Sequence, residues 1–152
     1  MPIFYVRGVS AATVGTVDHA LANLWNPSPT KRIKVYEVAL FATTAAASGD
    51  GYWIQRTSAR NTAGSTVTPD ADNSSAGDAT PDSGALLDLA AFSVQPTLRT
   101  PQLWGWSVPI IPAAGFIWQT RGITIPAGGG LAITQRVGSI APVAEITFVF
   151  ED

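Results

Sequence analysis

Few residues in this chain are of types that do chemistry, and their spacing limits what they could do. His19 is the sole histidine. A Ser-His-Asp triad or an imidazole-based metal site would have to run through it, and no second imidazole exists to complete a two-histidine site. It is therefore expected to be a structural or surface residue near a strand start. Asp70, Asp72, Asp78 and Asp82, with Asn73 among them, begin with the i, i+2 carboxylate spacing of a calcium loop. The register of such a loop fails, because no glycine stands at the sixth place and no glutamate at the twelfth. A solvated acidic loop is expected instead. Gly128, Gly129 and Gly130 resemble a phosphate cradle only in composition. Such a cradle carries Lys-Ser/Thr and opens a helix, whereas L-A-I-T at 131–134 reads as a strand. With Pro126 and Ala127 before them, the glycines predict a hairpin turn. Cysteine is absent, which removes disulfides and thiolate ligands. The expectation is no catalytic residue, no cofactor, no metal and no enzyme activity.

The five tryptophans are the most informative side chains. Trp104 and Trp106 stand two apart, so in a strand they share one face. Trp25, Trp53 and Trp118 lie in or beside other predicted strands. One reading makes them core residues, since tryptophan is buried on average. The other makes them interface anchors, where tryptophan is enriched; an exposed row would instead suit stacking on sugar rings. Trp104, Trp106 and Trp53 are the candidate interface residues.

The elements that must position these residues read as strands. Gly (14) and Pro (11) make up about a sixth of the chain and punctuate runs of β-branched and aromatic residues. Residues 33–41 alternate, with Ile33, Val35, Glu37, Ala39 and Phe41 on one face and Lys34, Tyr36, Val38 and Leu40 on the other. Both faces are mixed, which suits a strand in a sandwich or one touching a neighbour. Further strands are expected at 52–58, 116–120, 123–125, 131–137 and 144–150; in the last, Ile146, Phe148 and Phe150 alternate with polar positions and Val149. Residues 11–24 and 85–92 could each form a turn or two of helix, with Asp18 as a cap to the first. Part of 85–92 reads better as strand. Residues 61–84 have one aliphatic branch, Val67, and no aromatic, so this long polar loop cannot pack a core of its own. A neighbouring subunit would order it.

A length of 152 residues fits one domain with a sizeable core, since 46% of residues are apolar. Only 13% are charged, about half the usual share, which points to a surface partly covered by other subunits. The formal net charge is −2 and the nine basic residues are scattered, so no nucleic-acid partner is expected. No apolar run approaches the roughly 20 residues of a membrane span, and no signal peptide is evident, so no membrane partner is expected either.

Taken in order, K-R-I-K-V-Y-E-V at 31–38, G-Y-W-I-Q-R-T at 51–57, the polar excursion at 66–81, F-I-W at 116–118 and I-T-I-P-A-G-G-G-L-A-I at 123–133 resemble the jelly-roll decoration (cement) proteins of tailed-bacteriophage heads. The resemblance is one of pattern over most of the chain. It implies an all-β fold, an antiparallel β-sandwich (jelly roll) of about eight strands with little helix. It also implies a homotrimer that binds the major capsid protein on the outside of the virion, after synthesis in the host cytoplasm. Residues 31–152 would form the sandwich, and residues 1–30, which do not fit the pattern, an arm reaching a neighbour. The competing expectation is a carbohydrate- or receptor-binding sandwich of a phage fibre or baseplate, marked by exposed Trp104 and Trp106 in a polar groove.

Overall fold

Strands occupy nearly every apolar run. The computed structural model describes residues 2–12, 16–45, 50–60, 62–71, 80–109, 111, 113–136 and 141–152, the side chain of residue 50 excepted. Among them are twelve strands and no helix, and so no helix long and apolar enough to cross a membrane. In chain order they are β1 (Ile3–Ser10), β2 (Ala20–Asn26), β3 (Ile33–Ala42), β4 (Asp50–Ala59), β5 (Ser65–Val67) and β6 (Asp70–Ala71). Then come β7 (Leu86–Leu89), β8 (Thr97–Leu98), β9 (Trp104–Val108), β10 (Gly115–Ile125), β11 (Gly129–Gln135) and β12 (Ala144–Glu151).

Two antiparallel sheets result. Sheet A has the order β10-β3-β12-β1-β6, and sheet B the order β5-β7-β2-β11-β4-β8, with β9 also paired to β4. The first half of the chain pairs with the second in reverse: β1 with β12, β2 with β11, β3 with β10, and β4 with β9. Successive pairs alternate between the sheets. A long antiparallel ribbon wound up in this way is a jelly roll. Eight strands carry the winding, and the short β5 to β8 extend its edges.

The wound core explains several departures from the sequence expectations. Within residues 1–30, expected as an arm, two segments are strands of the sandwich. β1 pairs with β12 along its whole length, and β2 lies inside sheet B between β7 and β11. Leu21, Ala22 and Leu24 are fully buried there, a better fate for apolar side chains than a one-sided helix offers. The short helix considered for 85–92 is replaced by β7. In β3 the alternation changes phase: Ile33 and Val35 point inward, then Val38, Leu40 and Ala42 do so, while Phe41 faces solvent. Both neighbouring ladders shift register at this point, a bulge that consumes one residue near Tyr36. The glycine turn does not make a hairpin. β10 belongs to sheet A and β11 to sheet B, so the turn at 126–128 carries the chain from one sheet to the other. Gly128, at φ +63°, gives the left-handed step that this turn needs. Within the long loop 61–84, the described residues include β5 and β6; residues 72–79, with Asp72 and Asp78, lie outside the described residues.

Phe4, Val6, Val38, Leu40, Ile146, Phe148 and Phe150 from sheet A meet Leu24, Tyr52, Ile54, Leu87, Leu131 and Ile133 from sheet B. Phe4 and Phe150 stack at 5.7 Å between centroids. The outer face of sheet B is buried too. The connection at 90–103 folds back over it, so Ala20, Ala90, Phe92 and Ala132 form a second small core, and Gln95 accepts a hydrogen bond from the Ala20 amide at 2.8 Å. Several polar residues beneath are paired. Thr134 donates to Gln55 at 2.6 Å and Thr57 to Asn23 at 2.9 Å. Asp88, fully buried, accepts two bonds of 2.8 Å from Arg60 and one from Thr66. The hydrogen bond to Asp88 raises the Arg60 pKa further above its ordinary value, against the opposing pull of burial.

Asp88→Ala should destabilise the fold by about 2–3 kcal/mol in urea titration, because it strands the Arg60 guanidinium while partial exposure lets water recover some of the loss. Gly130 has no room for a methyl group, since a Cβ there would press on the Thr57 hydroxyl, Asn23 Oδ1 and the Leu24 carbonyl. Gly130→Ala should cost about 1–3 kcal/mol in the same measurement.

Candidate interaction surfaces

The structure separates the three tryptophans expected at an interface. In β4, Tyr52 and Ile54 face the core, so Trp53 between them lies on the outer side of sheet B. There its indole covers Gly105, which has no space for a side chain, and Arg136 sits 6.0 Å from its ring centroid. Trp106 pairs with Tyr52 and Trp104 with Ile54, so both share the inward side of β9, as their spacing predicted.

β9 and β10 border the same side of the sandwich, one in each sheet. Trp104 stacks on Trp118 at 5.5 Å with planes 13° apart, and Trp106 packs tilted against Phe116. This aromatic seam closes the gap between the sheets. The indole N–H of Trp106 is enclosed there without a hydrogen-bond partner, a cost accepted for apolar closure. Trp104 remains 51% exposed at the end of the seam. One indole is thus open to solvent, and no paired platform of Trp104 and Trp106 faces a groove.

The surface that sequence reasoning missed is the outer face of sheet A. Unlike sheet B, it has no covering segment among the described residues. Ile117 of β10, Phe41 of β3, Val149 of β12 and Ile3, Tyr5 and Val9 of β1 share it, and all but half-buried Val149 are exposed. Few charges interrupt it: Arg7 pairs with Glu145, Glu37 accepts from Gln119, and Glu151 accepts from Tyr36 at 2.7 Å. The signal in the sequence was the apolar residues on both faces of 33–41 and 144–150. It could not be assigned to an outer face without the bulge in β3.

His19 sits just before β2, with its backbone amide bonded to Thr16 and its carbonyl to the Gln135 amide. Asp82 pairs with Lys31 at 2.7 Å, which lowers its pKa, and Asp70 caps the Ala71 amide. No cluster of three metal-ligating side chains occurs among the described residues.

The strand order defines the chain as a jelly-roll β-sandwich. No protein-family model matches it, and neither does any curated protein. Among solved structures it is similar to a chain of deformed wing virus carrying the GFP gene. The two share 10% identity at a TM-score of 0.36, over 97% of this chain and 77% of that one. The fold assignment rests on the pairing of strands, independently of this likeness.

Trp118→Ala should remove the stacked partner of Trp104 and open the seam. The expected outcome is a loss of about 2–4 kcal/mol in stability and of the near-ultraviolet circular dichroism of the stacked indoles.

Proposed function

We propose that this chain is a non-catalytic structural protein of a virus particle, a decoration protein that binds the major capsid protein on the outside of a tailed-phage head as a homotrimer. The observation that carries the assembly role is the uncovered apolar face of sheet A. Its four long strands, at about 4.8 Å spacing and 3.4 Å per residue, give a flat footprint on the order of 500 Å² before side-chain relief. Exposed apolar patches of that size mark contact surfaces, and a standard interface buries roughly 800 Å² per partner. One such contact would be of modest strength. Three copies engaging a shell together would multiply it.

The low charge and the pairing of the few ionic groups within the face agree with a surface that meets protein rather than water. The phage-head setting follows the sequence pattern described above. The sugar-binding alternative is less well supported, because the geometry leaves a single exposed indole, Trp104, where stacking recognition calls for a platform beside polar groups.

Light scattering coupled to size exclusion tests the reading. The expected mass is three times 15.9 kDa, and Ile117→Asp, on the face that meets the shell, should leave that mass in place while changing stability by no more than about 0.5 kcal/mol. Wild-type protein should cosediment with undecorated phage heads and the variant should not. A monomer that fails to bind heads overturns the proposal.

A further inference from the structure

We infer that the cleft between the outer end of β4, the segment after β8 and the turn before β11 binds a small oxyanion, a phosphate, sulfate or carboxylate group held by Arg56 and Arg99. This inference stands apart from the assembly role. The cleft measures about 60 Å³ and is lined by Arg56, Thr57, Ser58, Arg99 and residues 126–130. That is space for about four water-sized spheres, enough for one such group.

Among the described residues, no carboxylate lines the cleft. The backbones that carry the two arginines are fixed together, since the Arg99 amide donates to the Arg56 carbonyl at 2.8 Å. Arg56 follows Ile54 on the inward side of β4, and its guanidinium crosses to the other sheet to donate to the Thr124 carbonyl of β10. One corner of that guanidinium is thereby anchored and its remaining N–H groups are left for other acceptors. Arg7, Lys31 and Arg60 are paired with carboxylates; among the described residues, Arg56 and Arg99 are not. Arg56 and Arg99 both line one small recess, so an anion there would meet two positive charges and accept forked hydrogen bonds.

The rest of the lining is consistent with an acceptor ligand. Ser58 contributes an exposed hydroxyl. Thr57 and Gly130 form part of the wall. The glycine amides are not the binding groups: those of Gly128 and Gly129 are spent on the Ser28 and Pro126 carbonyls. Recognition would rest on side-chain charge, unlike a glycine-rich phosphate loop.

The test is a nuclear magnetic resonance titration of the whole chain with sodium phosphate, sulfate or acetate, at ionic strength matched with chloride. Saturable shifts at the Arg56 and Arg99 side-chain Nε–H signals and at the amides of 128–130 are expected. Arg99→Gln should weaken binding roughly tenfold, the loss of one charge-assisted hydrogen bond, while leaving the unfolding temperature in chloride unchanged. Tighter binding of phosphate and sulfate would identify a tetrahedral ligand, and equal or tighter binding of acetate a carboxylate such as a partner's side chain; either result supports the site. Shifts that fail to saturate, or saturable binding unchanged by Arg99→Gln, would overturn it.

Discussion

β12 lies between β3 and β1, bonded along both edges, and sheet A depends on its insertion. Its inward residues, Ile146, Phe148 and Phe150, sit at the centre of the core. The strand pairs with residues more than a hundred positions earlier in the chain; the Ser10 hydroxyl and the Ala144 backbone, for example, bond across 134 positions. The same reversal repeats in the other three long pairs. Because each costs loop-closure entropy before its contacts form, the core is assembled from non-local pairings that stabilise one another.

The winding leaves the two sheets in different circumstances. Sheet B is covered on both sides, since the chain between β7 and β9 crosses its outer face. That covering buries polar groups, which is tolerable because Thr57, Gln55, Thr134 and Asp88 are paired within the layer. Sheet A has a comparable core face but an open outer one, where Ile3, Tyr5, Val9, Phe41 and Ile117 meet solvent. The aromatic seam of β9 and β10 joins the two sheets along one side and uses Trp104 and Trp106 for closure. The tryptophans most suggestive of binding in the sequence are therefore largely structural, while ordinary apolar residues form the exposed face.

Much of the fold was legible residue by residue. The runs at 33–41, 52–58 and 144–150 are strands near their expected bounds, the strand expected from 131 is Gly129–Gln135, and the shared face of Trp104 and Trp106 followed from a spacing of two. The first thirty residues were not legible. Leu21, Ala22, Leu24 and Trp25 have a spacing that serves a helix as well as a doubly covered strand, and only the presence of β7 and β11 on either side decides between them. The phase change in β3 was hidden because a bulge is set by two partner strands rather than by the strand's own composition.

The sequence by itself determined the class: short β-rich runs divided by Gly and Pro, with an apolar content adequate for a core. Those properties are local, fixed by residue type and by neighbours a few positions away. Tertiary structure alone decided which apolar residues are core and which are exposed, that the glycine turn crosses between sheets, and that Arg56 and Arg99 share a cleft. Each of these depends on which distant segment lies alongside. A period-two pattern shows that a strand has two faces but not which face another sheet will cover.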